Sequence, residues 1–172
     1  QDSSILLVGS SKTGYCDLSE FKKIIKPCIE QIKILKKKSV AIQIHQTKSK
    51  QNDFIQRCKF VFKEFERVTY SYKSQSNKNL IILVDKSSGK IATKTVKEGL
   101  ALATGIRLTK SLANKPANLC TPTILANEAK KLDANHKSIS VSVMNEAQMK
   151  KLKMNTLLSV AQGTTQPAKL IT

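Results

Sequence analysis

Short apolar runs of strand length alternate with helical patterns over residues 5–84, and this alternation most restricts what the chain can fold into. Ile5-Leu6-Leu7-Val8 predicts a buried strand that runs into a glycine-bearing loop, Gly9 to Gly14. Asp17 with Glu20 three positions on marks a helix start, and Leu18, Phe21, Ile25, Cys28, Ile32 and Leu35 recur at helical spacing. Pro27 predicts a kink near the middle of that helix. Ser39 to His45 has the period of a strand, Thr47 to Asn52 that of a polar loop. Phe54, Cys58, Val61 and Phe65 then share one face of a second helix. Val68 to Tyr72 predicts a short edge strand, Lys73 to Asn79 a loop, and Leu80 to Val84 another buried strand. Strands alternating with helices at this spacing imply an α/β fold: a mainly parallel or mixed sheet with helices on its faces.

The second half changes character. Thr93 to Leu112 is rich in Ala, Leu and Gly and predicts one helix, with Ala101, Ala103 and Gly105 allowing close approach of neighbouring elements. Asn114 to Asn118 breaks it, and Thr121-Pro122 supplies an N-cap followed by proline in the first turn of a helix over 123–133. Ser138 to Val143 alternates like a strand, Asn145 to Leu152 has a short helical pattern, and Leu157 to Ala161 predicts a further strand. The expected organisation is an N-terminal α/β domain over 1–92, a linker helix over 93–113, and the beginning of a second domain over 114–172. No apolar run approaches the roughly 20 residues of a membrane span, so no membrane partner is expected. The chain starts at Gln1 without a secretory pattern, which suggests a processed or trimmed start and a soluble, intracellular protein.

Charge is the compositional outlier: 30 basic against 12 acidic residues, net +18. Such an excess favours polyanions or an acidic partner surface. Only Arg57, Arg67 and Arg107 are arginines, so the bidentate forks of specific base readout are scarce. Lys22, Lys26, Lys33 and Lys37 form a stripe along the first helix and are the candidate nucleic-acid-binding residues, DNA being the partner considered. The alternative is an ordinary solvated face.

Motifs for chemistry fail one by one. In the Gly9 to Gly14 loop, Tyr15 and Cys16 stand where a phosphate-binding loop needs Lys and Ser or Thr. Cys16, Cys28, Cys58 and Cys120 lie far apart and read as small buried hydrophobes. His45 and His136 have no motif around them. Residues 101–172 offer only Glu128, Asp133, Glu146 and His136 as ligands, with Glu128 and Asp133 too far round one helix to share a metal easily. No catalytic and no metal-binding residue is therefore assigned.

The stretch from Glu98 to Pro122, with Thr104-Gly105-Ile106-Arg107 and Leu112-Ala113-Asn114-Lys115-Pro116-Ala117-Asn118 followed by Thr121-Pro122, resembles the entrance to the catalytic domain of the leucine aminopeptidase (cytosol aminopeptidase) family. Gln148 to Met154, Leu157 to Thr164, and Pro167 to Ile171 continue the resemblance in order. Lys110-Ser111 and Lys153 depart from it, where the family usually has an acidic residue after Arg and a Gly before Met. The resemblance implies a macro-like N-terminal α/β domain incomplete at its start, a linker helix, and the first part of an α/β aminopeptidase catalytic domain. It further implies a cytoplasmic, homohexameric exopeptidase that acts on peptides with two divalent ions, manganese, zinc or magnesium. Family motifs of the Asp-x-Gly-Gly and Asn-Thr-Asp-Ala-Glu-Gly-Arg type do not occur in this sequence, so this segment alone is expected to be inactive.

Overall fold

The computed structural model describes residues 17–35, 38–44, 51–72, 78–84 and 89–172. The Ile5 to Val8 strand, the Gly9 to Gly14 loop, Cys16, Lys37, His45 and most of the Lys73 to Asn79 loop lie outside the described residues. The chain divides into two compact units, residues 1–110 and 111–172.

In the first unit, α1 (Leu18–Ile34) starts where Asp17 accepts a hydrogen bond from the Glu20 backbone N–H at 2.8 Å. This satisfies one of the donors a helix N-terminus leaves open. The helix continues through Pro27. Its most buried residues are Ile29 and Ile32, with Phe21 and Ile25 packed against the same core, whereas Leu35 lies outside the helix and is exposed. Strand β1 (Ser39–Gln43) pairs in parallel with β2 (Asn79–Leu83), Ala41 opposite Ile81. Between them runs α2 (Gln51–Thr69), which buries Phe54, Cys58, Val61 and Phe65 as the spacing predicts. Helix α3 (Gly89–Ala113) follows. Val40, Ile42, Leu80 and Ile82 point into the core formed with α1 and α2, while Ile81 and Leu83 are exposed on the other face.

The expected edge strand over Val68 to Tyr72 does not form. Helix α2 runs on to Thr69, whose hydroxyl donates to the Phe65 carbonyl at 2.7 Å, and the Tyr70 N–H still reaches the Glu66 carbonyl at 3.0 Å. Val68 continues the buried stripe of residues 54, 58, 61 and 65, so burial on the helix face outweighs its β-propensity.

The small-residue expectation for α3 also needs correction. Ala103 is buried, but Ala101 is exposed, and at Gly105 no atom lies within 4 Å of where a Cβ would stand. The close contact falls at Gly99, where a Cβ would stand 2.2 Å from Phe62 Cδ2. Ala92, Thr95, Gly99 and Ala103 make the packed face.

The second unit contains α4 (Pro122–Asn135), β3 (Val143–Met144), α5 (Glu146–Lys151), α6 (Asn155–Ala161) and β4 (Leu170–Ile171). Strand β3 pairs antiparallel with β4, Val143 opposite Ile171, and Ser142 exchanges both backbone bonds with Thr172. The strand expected over Ser138 to Val143 is thus realised only at its end, because only there does a partner strand supply hydrogen bonds. The strand expected over Leu157 to Ala161 is helix α6 instead. A short apolar run has no periodicity to separate the two states, and here the Leu158 N–H bonds to the Met154 carbonyl at 3.1 Å.

Candidate functional site

The lysine stripe is where the sequence puts it, on the solvent side of α1: Lys22, Lys26 and Lys33 are exposed. The Lys22 ammonium sits 5.6 Å from the centre of the Phe60 ring on α2, so part of its charge faces an aromatic surface.

The arginines take a different place. Arg57 is buried, its guanidinium 5.2 Å from the centre of the Phe21 ring. Arg67 donates to Glu64 at 2.6 Å and to Glu30 at 2.8 Å, tying α2 to α1, and these hydrogen bonds hold its pKa above the ordinary arginine value. Arg107 on α3 grips Glu66 on α2 with both Nε (2.9 Å) and Nη2 (2.6 Å), which likewise raises its pKa. Glu66 is only 2 % exposed, so a charged partner in fixed geometry is what makes its burial tolerable. Lys59 of α2 pairs with Glu98 of α3 at 2.7 Å and pulls the carboxyl below its usual range. Sequence reasoning missed this polar seam because Glu66 and Arg107 are far apart in the chain. A signal existed: where nearly every cation is lysine, an arginine marks a site that needs a planar fork or a flat face for stacking.

After α3 the chain turns tightly. The Lys115 N–H bonds to the Leu112 carbonyl at 3.2 Å, and the N–H groups of Leu119 and Cys120 both bond to the Pro116 carbonyl, at 2.8 and 3.0 Å. The Thr121 side chain accepts from the Ile124 N–H at 3.3 Å, with Pro122 as the first helical residue of α4. The segment 114–121 is therefore a hydrogen-bonded turn. Asn145 and Gln148 cap α5 reciprocally at 3.0 and 2.8 Å. At its other end Lys153 has φ 56°, its N–H bonded to the Lys150 carbonyl and that of Met154 to the Met149 carbonyl. These two bonds make the left-handed helix stop usually built on glycine.

The candidate ligands of the second unit do not converge. Glu128 is paired with Lys131 at 2.8 Å, which lowers its pKa, and Glu146 accepts from the Ala168 N–H at 2.8 Å. His136 is exposed at the end of α4. Among the described residues no three of His, Cys, Asp and Glu are grouped so as to hold a metal ion. This donor set does not fit a pair of divalent ions, which need several oxygen ligands to offset their mutual repulsion. The described cysteines, Cys28, Cys58 and Cys120, are free thiols. Burial raises the pKa of Cys28 and pushes that of Cys58 up to about 11, the reverse of what a nucleophile requires. No helix among the described residues is long and apolar enough to cross a membrane.

Residues 107–172 match the model of the cytosol aminopeptidase family, catalytic domain. A probable cytosol aminopeptidase of Hamiltonella defensa is 34% identical over 167 residues, covering 93% of this chain and 33% of the relative. The cytosol aminopeptidase of Pseudomonas aeruginosa is 31% identical over 175 residues, covering 97% of this chain and 35% of the relative. Among solved structures, a tomato leucine aminopeptidase mutant superposes with a TM-score of 0.74 at 21% identity, covering 92% of this chain and 33% of that one. The bottromycin maturation enzyme BotP in complex with Mn gives 0.69 at 19% identity, covering 95% and 34%. Spanning about a third of the length of the curated relatives it matches, this chain is similar to the cytosol aminopeptidase family along nearly all of its own length.

Proposed function

We propose that this chain is the part of a metal-dependent leucyl aminopeptidase that leads into its catalytic domain, and that the whole enzyme removes N-terminal residues from peptides. The observation that carries this reading is the alignment of 93–97% of the chain with cytosol aminopeptidases, joined to the catalytic-domain match over 107–172. In this reading residues 1–92 are the N-terminal domain, 93–113 the linker helix, and 114–172 the beginning of the catalytic domain. The enzyme is cytoplasmic and homohexameric. Two divalent ions, manganese or zinc, would supply Lewis-acid chemistry in the whole enzyme. The manganese-bound BotP structure supports the choice of metal class. No catalytic step is assigned to the residues described here. Their part is to shape the turn at 114–121 and the caps of α4 and α5. The test is hydrolysis of a leucyl amide by the full-length protein, stripped with a chelator and then given manganese. Activity restored by the metal supports the reading. Metal-saturated full-length protein that leaves peptides and amides intact would overturn it.

A second reading concerns the stripe of Lys22, Lys26, Lys33 and Lys37. Its three described members are exposed on one helix, which a nucleic-acid contact requires and an ordinary solvated face shares. If all four lysines engage phosphates, DNA affinity falls by roughly 100-fold between 50 and 200 mM salt. Affinity that is flat over this range, or unchanged when the four are replaced by glutamine, rules the contact out.

A further inference from the structure

We draw no further inference here: the strongest candidate, the exposed apolar pair Val96 and Leu100 one turn apart on α3, is an unpartnered helix face, and nothing in the structure shows what covers it.

Discussion

Lys153 and Cys58 show how much a single position can carry in this chain. Lys153 holds φ 56° at the end of α5, a conformation in which its Cβ crowds the backbone and for which glycine has no such cost. The hydrogen bonds around it belong to the helix stop rather than to the lysine side chain, so they survive substitution. Replacing Lys153→Gly is expected to stabilise the protein by about 0.5–1 kcal/mol, the relief of strain exceeding the extra freedom glycine gives the unfolded chain. A lower urea midpoint for the variant would contradict this. Cys58 on α2 is packed inside the core, and burial pushes its pKa up to about 11, above the ordinary thiol range. A raised folded value means that the unfolded thiol ionises first as pH rises. Stability is therefore complete below the unfolded pKa and is lost progressively as pH climbs through the folded one. Wild type should lose roughly 2–3 kcal/mol more than Cys58→Ala between pH 8 and pH 11, measured by denaturant titration of both. The comparison matters because everything but the thiol is common to the two proteins. Equal losses would remove the assigned role of Cys58.

At the scale of elements, α3 carries two glycines with opposite consequences. Gly99 faces Phe62 so closely that any Cβ must displace the ring, whereas a Cβ at Gly105 would meet nothing within 4 Å. Gly99→Ala is expected to destabilise by about 1–3 kcal/mol through overpacking of the α2–α3 seam. Gly105→Ala should stabilise by up to ~1 kcal/mol, since only the helix propensity of the residue changes. Melting temperatures of the two variants check both, and a common direction would mean that the packed face of α3 is misassigned. The helical periodicity of α1 and α2 was legible because each buried face repeats at a spacing only a helix satisfies. It even foretold Phe54, Cys58, Val61 and Phe65 as one buried face. Runs such as Val68 to Tyr72 and Leu157 to Ala161 lacked this redundancy. Their β-branched and apolar residues favour strands locally, but neither forms one, and the first was absorbed by the packing of α2. On α3, composition alone pointed to Ala101 and Gly105, because a count of small residues does not say which side of a helix meets a neighbour.

At the scale of the molecule, the two units differ in how much core they own. Residues 1–110 bury Ile29, Ile32, Ile44, Phe54, Cys58, Val61 and Phe65 in one cluster, while in 111–172 the only fully buried hydrophobic residues are Ala126 and Met149. A unit with so little buried apolar surface has little to set against the conformational entropy of its own chain. Catalysis adds a separate requirement, the clustered oxygen ligands that are absent among the described residues. The 172-residue chain by itself is therefore expected to hydrolyse no leucyl amide at any manganese concentration, measured with metal-stripped and reloaded protein. Turnover that rises with added manganese would place a metal site within these residues after all. By itself the sequence determined the order of α1, β1, α2 and β2, the buried face of α2 and the caps at Asp17 and Thr121, because these depend on spacing between near neighbours, and its segments from Glu98 onward carried the resemblance to the cytosol aminopeptidase family. Only the tertiary structure decided that Glu66 is gripped by Arg107, that Gly99 is the close contact, and that pairing of the Ser138 to Val143 stretch begins only at Ser142. Each of these rests on residues brought together from distant parts of the chain, and local propensity carries no information about which distant groups will meet.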